Sequence, residues 1–297
     1  MLKAGFYCAL GTPLDDAGRL LADSLALHID DQIENGAAGL LLLGTMGMLG
    51  CVRDDQYEIA VAAAVEAVGG RVPLLAGAAD NSIARMQKRL DVLSKYPVFP
   101  VLTAPYYFQM NRGTAMNYFK AAAEYTKNDL YLYDHPYTAR YKLTFADVAE
   151  LALMPRYKGI KTGDPVLIKK LQQSNGIKED FTPIFSNSDL FELGHAYGIS
   201  RTLDGIYACF PRTAGRMQRL YDAGDSTGGD DAVKVIMDAR DKMFELGIWP
   251  AFSAAMNLLG FKGRFSPDYE PFFEAPGDGD KIEAIRQILI DAGELNR

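Results

Sequence analysis

Eight short apolar runs, each followed by a longer stretch with helical spacing, constrain this chain more than any other feature. They are GFYCAL from Gly5, GLLLLG from Gly39, VPLLAG from Val72, PVFPVLTA from Pro97, DLYLYD from Asp129, YKGIK from Tyr157, TPIFSN from Thr182 and TLDGIYA from Thr202. The runs are continuously apolar rather than alternating, as parallel strands covered on both faces require. Strand alternating with helix favours parallel crossover units. Eight such units are the count of a (β/α)8 barrel, an α/β fold.

The intervening stretches carry helix start and stop signals. Leu25, Ile29 and Ile33 share one face, and Asn35-Gly36 closes that helix. Asn81-Ser82 and Thr144 are N-cap candidates, and Asp164-Pro165 opens another helix with proline in the first turn. Past Asp225 the strands stop. Helical segments over 232–246, 250–259 and 281–292 follow, separated by the breaks STGGDD and APGDGD. The expected organisation is a barrel over residues 1–225 and a C-terminal helical extension over 226–297, packed on the barrel.

Composition narrows the function. Apolar residues make up 48% of the 297, enough for a globular core. The net charge is −7 and no basic cluster offsets it, which argues against nucleic acid or an anionic membrane as partner. Cys8, Cys51 and Cys209 are scattered without metal spacing and read as reduced thiols in a cytoplasmic protein. The opening MLKAGFYCALGTP reads as a start, a strand and a turn rather than a signal peptide. No cluster has metal-ligand spacing, and no glycine-rich phosphate or dinucleotide motif occurs, so neither a metal nor a cofactor is expected.

In a barrel the chemistry sits at the C-terminal ends of the strands. There the informative residue is Lys161, which ends YKGIK with Gly159 on the same face. Glycine at that position is expected to leave room beside the lysine. Taking the amine out of water favours its uncharged form, and a neutral amine attacks a ketone to give a Schiff base. A lysine paired with a carboxylate, or reaching out to solvent, is the competing reading. Tyr133 ends the preceding run, where a phenol can both donate and accept a proton. Thr45, between Gly44 and Gly47, offers a hydroxyl beside exposed backbone amides. His135 can act as a titrating group or a plain loop residue. His28 and His195 lie in helical stretches and read as structural.

Taken in order, these motifs resemble the dihydrodipicolinate synthase / N-acetylneuraminate lyase family of class I aldolases. The resemblance lies in ALGTP, GLLLLGTMG, APYY, YDHP with KLT, GIK and DGIYA, and it runs over most of the chain. It implies that Lys161 forms the imine, that Tyr133 shuttles protons and that Thr45 belongs to a hydroxyl relay. It also implies that Tyr107 enters a neighbouring subunit's site, which makes the protein a homodimer or homotetramer. The other strand ends supply candidate substrate contacts: Met46, Gly47, His135, Arg140, Ser186, Asp189, Ile206 and Tyr207.

The departures from the family pattern fall around this centre. Met46 and Met48 stand where the family carries threonine and glutamate. Thr138 stands where the synthase branch carries arginine, and Arg140 is displaced from it. Asp134-His135 and Tyr207 are also atypical. The implied activity is a carbon–carbon lyase acting on a 2-keto acid, with pyruvate as the common fragment. A 2-keto-3-deoxy sugar-acid dehydratase using the same imine is the alternative. A non-catalytic sugar-acid-binding regulator is the reading from another class, and an intact lysine, tyrosine and threonine set argues against it.

Overall fold

A computed structural model describes residues 2–269 and 278–296. The initiator Met1 and residues 275–277 of the expected APGDGD break lie outside the described residues. Eight strands follow one another in sequence order around a closed barrel: β1 (Gly5–Ala9), β2 (Gly39–Leu42), β3 (Leu74–Gly77), β4 (Phe99–Leu102), β5 (Leu130–Asp134), β6 (Tyr157–Thr162), β7 (Thr182–Phe185) and β8 (Arg201–Asp204). Each falls within or against one of the eight apolar runs. The last run splits, because β8 stops at Asp204 and Ile206–Ala208 turns into a single 3-10 turn. The Asp204 carboxylate accepts the Ile206 amide at 3.0 Å and starts that turn.

By backbone proximity the chain forms two compact units, residues 1–4 with 73–203 and residues 5–72 with 204–297. The first holds α3 (Ile83–Leu93), α4 (Arg112–Tyr125), α5 (Pro136–Ala139), α6 (Phe145–Ala152), α7 (Pro165–Gln173) and α8 (Phe191–Ala196). Ser82 caps α3 by accepting the Arg85 amide, and Thr144 with Asp147 forms a reciprocal capping box on α6. Asp164 caps α7 ahead of Pro165. Between β5 and β6 the register pairs Tyr131 with Gly159. A Cβ at Gly159 would lie 2.1 Å from the Thr182 carbonyl and 2.4 Å from the Tyr131 ring. The space that glycine opens is therefore taken by Tyr131, not left free beside the lysine as the sequence suggested. The missing side chain lets an aromatic floor form under the next interior position.

The second unit holds α1 (Ala22–Glu34), α2 (Asp54–Val68), α9 (Pro211–Asp222), α10 (Ser226–Glu245), α11 (Ile248–Leu258) and α12 (Gly279–Asp291). On α1, Leu25 and Ile29 are fully buried while Ile33 is half-buried. Gln32 takes the inner position instead, donating to the carbonyls of Tyr207 and Ala208 at 3.1 and 3.3 Å. STGGDD, expected as a break, is the first turn and a half of α10. Asp225 caps it by accepting the Gly228 amide, and a Cβ at Gly229 would meet the Tyr221 ring at 2.4 Å. These glycines thus serve the close approach of α9 and α10 rather than a turn. Glu294, just past α12, is buried. Its carboxylate accepts the Thr213 amide at 2.8 Å and the Thr213 hydroxyl at 2.7 Å, capping α9 from the far end of the chain.

His28 lies in this unit, fully buried against the Phe261 ring at 5.2 Å. Neither ring nitrogen has a hydrogen-bond partner among the described residues. Burial pushes its pKa down to about 3, from 6.5 in an exposed chain. The unfolded chain therefore takes up a proton that the folded one refuses, so stability is lost as pH falls from 6.5 toward 3. We expect His28→Leu to remove roughly 1.4 kcal/mol per pH unit from the slope of unfolding free energy between pH 6 and 5. Urea unfolding at both pH values measures this, and an unchanged slope would contradict it.

Candidate active site

Parallel pairing of β5 with β6 sets Tyr133 opposite Lys161 and Asp134 opposite Thr162. Side chains alternate across a strand, so the two pairs serve opposite faces. Lys161 shares the face of Gly159, against which the Tyr131 ring packs. The lysine is only 6% exposed, and its Nζ lies 2.7 Å from the Ser186 hydroxyl just past β7. The same Nζ sits 4.0 Å from the centre of the Tyr133 ring. No carboxylate pairs with it among the described residues. That removes the ion-paired reading of this lysine. Lys158 shows the contrast, pairing with Asp180 at 2.5 Å on the opposite face.

The opposite face carries the clamp that holds these strand ends together. Asp134, nearly fully buried, accepts the Thr162 hydroxyl at 2.8 Å and the Leu143 amide at 3.0 Å, and pairs with Lys142. Lys142 also reaches Asp164 at 3.2 Å, and the Asp164 amide donates to the Thr162 hydroxyl. The ends of β5 and β6 and the loop before α6 are thus tied to one carboxylate. Sequence reasoning noted Asp134 only as a departure and Lys142 only within KLT. Ser186, a candidate substrate contact in the sequence, is the hydrogen-bond partner of the amine.

Around this centre the remaining candidates fall into distinct settings. His135 follows β5, half-buried, with its ring 5.2 Å from that of Tyr133 at 31°. Its pKa is pushed down to about 4 by burial first and by the positive charge of Lys161 second, against an upward pull from Asp134. Arg140 ends α5 in the left-handed region at φ 47° and is exposed, so it stands at the rim. Asp189, in the turn after β7, is exposed too. Tyr107 is 70% exposed and packs edge-on to the equally exposed Phe108 at 4.8 Å. Its loop is fixed from below by Asn81, whose side-chain oxygen accepts the amides of Tyr106 and Tyr107, both at 2.9 Å. Asn81 was a cap candidate in sequence; Ser82 caps and Asn81 holds the loop.

The other candidates lie in the second unit. Thr45 and Met46 are half-buried in the turn after β2, flanked by Leu43 and Met48 at φ 52° and 55°. Non-glycine residues in that region mark a tightly determined turn. A Cβ at Gly47 would touch the Leu43 backbone at 2.7 Å, and the buried Thr12 hydroxyl donates to the Gly47 carbonyl at 2.7 Å. ALGTP therefore supports the GTMG turn directly. Met46 lies over Gly205, where a Cβ would meet its Cγ at 1.9 Å. Ile206 is buried, and Tyr207 is fully buried with its ring edge-on to Phe6 at 5.5 Å. Tyr207 is thereby drawn into the interior rather than left open to a ligand.

The barrel sets an amine without a carboxylate partner and a phenol side by side at adjacent strand ends, and the family match that follows makes the protein an enzyme of the lyase class. Residues 3–275 match the dihydrodipicolinate synthetase family, and the chain belongs to that family. It is 28% identical over 260 residues to a 4-hydroxy-tetrahydrodipicolinate synthase of an Exiguobacterium species, covering 87% of this chain and 88% of the relative. It is 26% identical to the Gluconacetobacter diazotrophicus protein of the same name, covering 98% of each. In fold it is similar to the Thermotoga maritima dihydrodipicolinate synthase, with TM-score 0.85 and 22% identity over 99% of this chain and all of that one. It is also similar to YagE, a prophage protein of the same family from E. coli K12 solved with pyruvate, with TM-score 0.85 and 19% identity over 99% of this chain and all of that one. Among the described residues no helix is long and apolar enough to cross a membrane.

The clamp can be tested by itself. Asp134→Ala leaves the buried Leu143 amide and the Thr162 hydroxyl without their acceptor, which costs about 3 kcal/mol. Asp134→Asn keeps an acceptor and should cost roughly half as much. Urea unfolding of both variants checks the order; equal stability of Asp134→Ala and the parent protein would show that the carboxylate holds nothing.

Proposed function

We propose that this protein is a Schiff-base lyase that makes or breaks a carbon–carbon bond in a 2-keto acid, with pyruvate as the common fragment. The supporting observation is Lys161: an amine withdrawn from water, with no carboxylate beside it, on a hydroxyl and an aromatic face. Its Nζ adds to the C2 carbonyl, and loss of water from the carbinolamine gives an iminium ion. That cation takes up the electron pair of the breaking C3–C4 bond as the C4 hydroxyl gives up its proton; protonation of the resulting enamine at C3 returns an iminium, and water adds to it to release pyruvate and the free amine. The Tyr133 ring under Nζ favours the cationic iminium that forms there. Its phenol is the group proposed to move the proton at the C4 oxygen, and the Ser186 hydroxyl orients the amine.

The family's synthases and the pyruvate-bound prophage relative agree with this chemistry. The buried amine counts against a non-catalytic binder, which gains nothing from a nucleophile. Exposed Tyr107, Phe108 and Tyr137 on the loops after β4 and β5 support a homo-oligomer, a dimer or tetramer. The free thiols of Cys8, Cys51 and Cys209 suit the cytoplasm.

Borohydride added with pyruvate should attach a pyruvyl group to the protein, and Lys161→Ala should abolish the adduct. Mass spectrometry reads both, and an unlabelled parent protein would overturn the proposal. Tyr133→Phe should lower kcat for pyruvate release from a cleavable 2-keto acid by on the order of 10²-fold, the range of a positioned acid–base group. Parent-level turnover would remove Tyr133 from the mechanism. Running the release assay over a series of hydroxylated keto acids separates a lyase from a dehydratase, which loses water to give a semialdehyde-type product and no pyruvate.

A further inference from the structure

His135 is held in place, yet its ring nitrogens do nothing for the fold. Its carbonyl accepts the amides of Thr138 and Ala139 at 3.1 and 3.0 Å, which anchors its backbone at the start of α5. Its ring is tilted by 31° against that of Tyr133 at 5.2 Å and lies edge-on to Tyr137 at 6.0 Å. Neither imidazole nitrogen bonds to a protein group among the described residues. A polar ring fixed by its neighbours and left unengaged, two residues past Tyr133 and so continuing its face, is a binding group waiting for a ligand.

We propose that His135 determines specificity by hydrogen-bonding a hydroxyl group on the substrate chain beyond C4, on the far side of the bond that Lys161 and Tyr133 act on. This rests on the imine chemistry proposed above, because Lys161 fixes C2 and thereby sets which substrate atoms reach the next position outward. Burial and the charge of Lys161 keep the imidazole neutral at pH 7, where it offers one donor and one acceptor. A neutral imidazole matches an uncharged hydroxyl; a second carboxylate would call for a cation there. The sequence identified His135 without deciding between a proton carrier and a loop residue, and the geometry makes it a reader of the departing fragment.

The test compares two ligands that differ by one hydroxyl beyond C4, 4,5-dihydroxy-2-oxopentanoate and 4-hydroxy-2-oxopentanoate. Each is trapped on the enzyme with borohydride, total modification of Lys161 is scored by mass spectrometry, and circular dichroism checks the fold of each variant. The parent protein should be half-trapped at about tenfold lower concentration of the dihydroxylated acid, as expected when one ligand satisfies a hydrogen-bonding side chain and the other does not. His135→Phe keeps an aromatic ring on Tyr133 and removes both nitrogens, and its ratio should fall to about one. His135→Gln restores a polar group and should recover part of the preference. A parent protein without preference, or a His135→Phe variant that keeps it, overturns the proposal. Absence of any adduct with pyruvate on the parent protein is the separate result that sinks the imine chemistry itself.

Discussion

Everything chemical in this protein depends on the pairing of β5 with β6. The register that sets Tyr133 opposite Lys161 sets Asp134 opposite Thr162 in the same stroke. One face receives the amine and the phenol; the other receives the carboxylate that keeps the two strand ends from drifting apart. A slip of one residue would reverse both faces. It would send the lysine toward the helices and bury the aspartate in the barrel interior.

Absent side chains do as much here as present ones. Gly159 admits the Tyr131 ring one interior position below Lys161. Gly47 lets the turn after β2 close onto the Leu43 backbone, and Gly205 accepts the Met46 side chain. Met46 and Gly205 belong together: a larger residue at either place would need the other to retreat. Among the departures from the family pattern, Met48, Asp134 and Tyr207 are buried in the fold, while Thr138 and Arg140 are exposed.

The barrel was legible because its signal is repeated eight times and does not rest on any one strand end. Lys161 and Tyr133 were legible because each closes an apolar run, and the run fixes which end of the strand they occupy. What the sequence could not show were contacts made across chain distance. The Asp134 clamp joins residues from three separate segments, Ser186 is one of many loop serines, and Glu294 caps a helix more than eighty positions away. Glycine misled twice. Its role depends on what approaches it, so Gly159 seemed to offer a void and Gly228-Gly229 a break, where Tyr131 and Tyr221 come in close.

The central claim is that Lys161 bonds covalently with a keto group. A crystal structure of the protein grown with pyruvate tests it most directly. Continuous density from the Lys161 Nζ to C2 of the ligand, with the Tyr133 ring still beneath it, is the outcome expected. Pyruvate bound elsewhere, or lying beside an unmodified Lys161 at saturating concentration, would contradict the account.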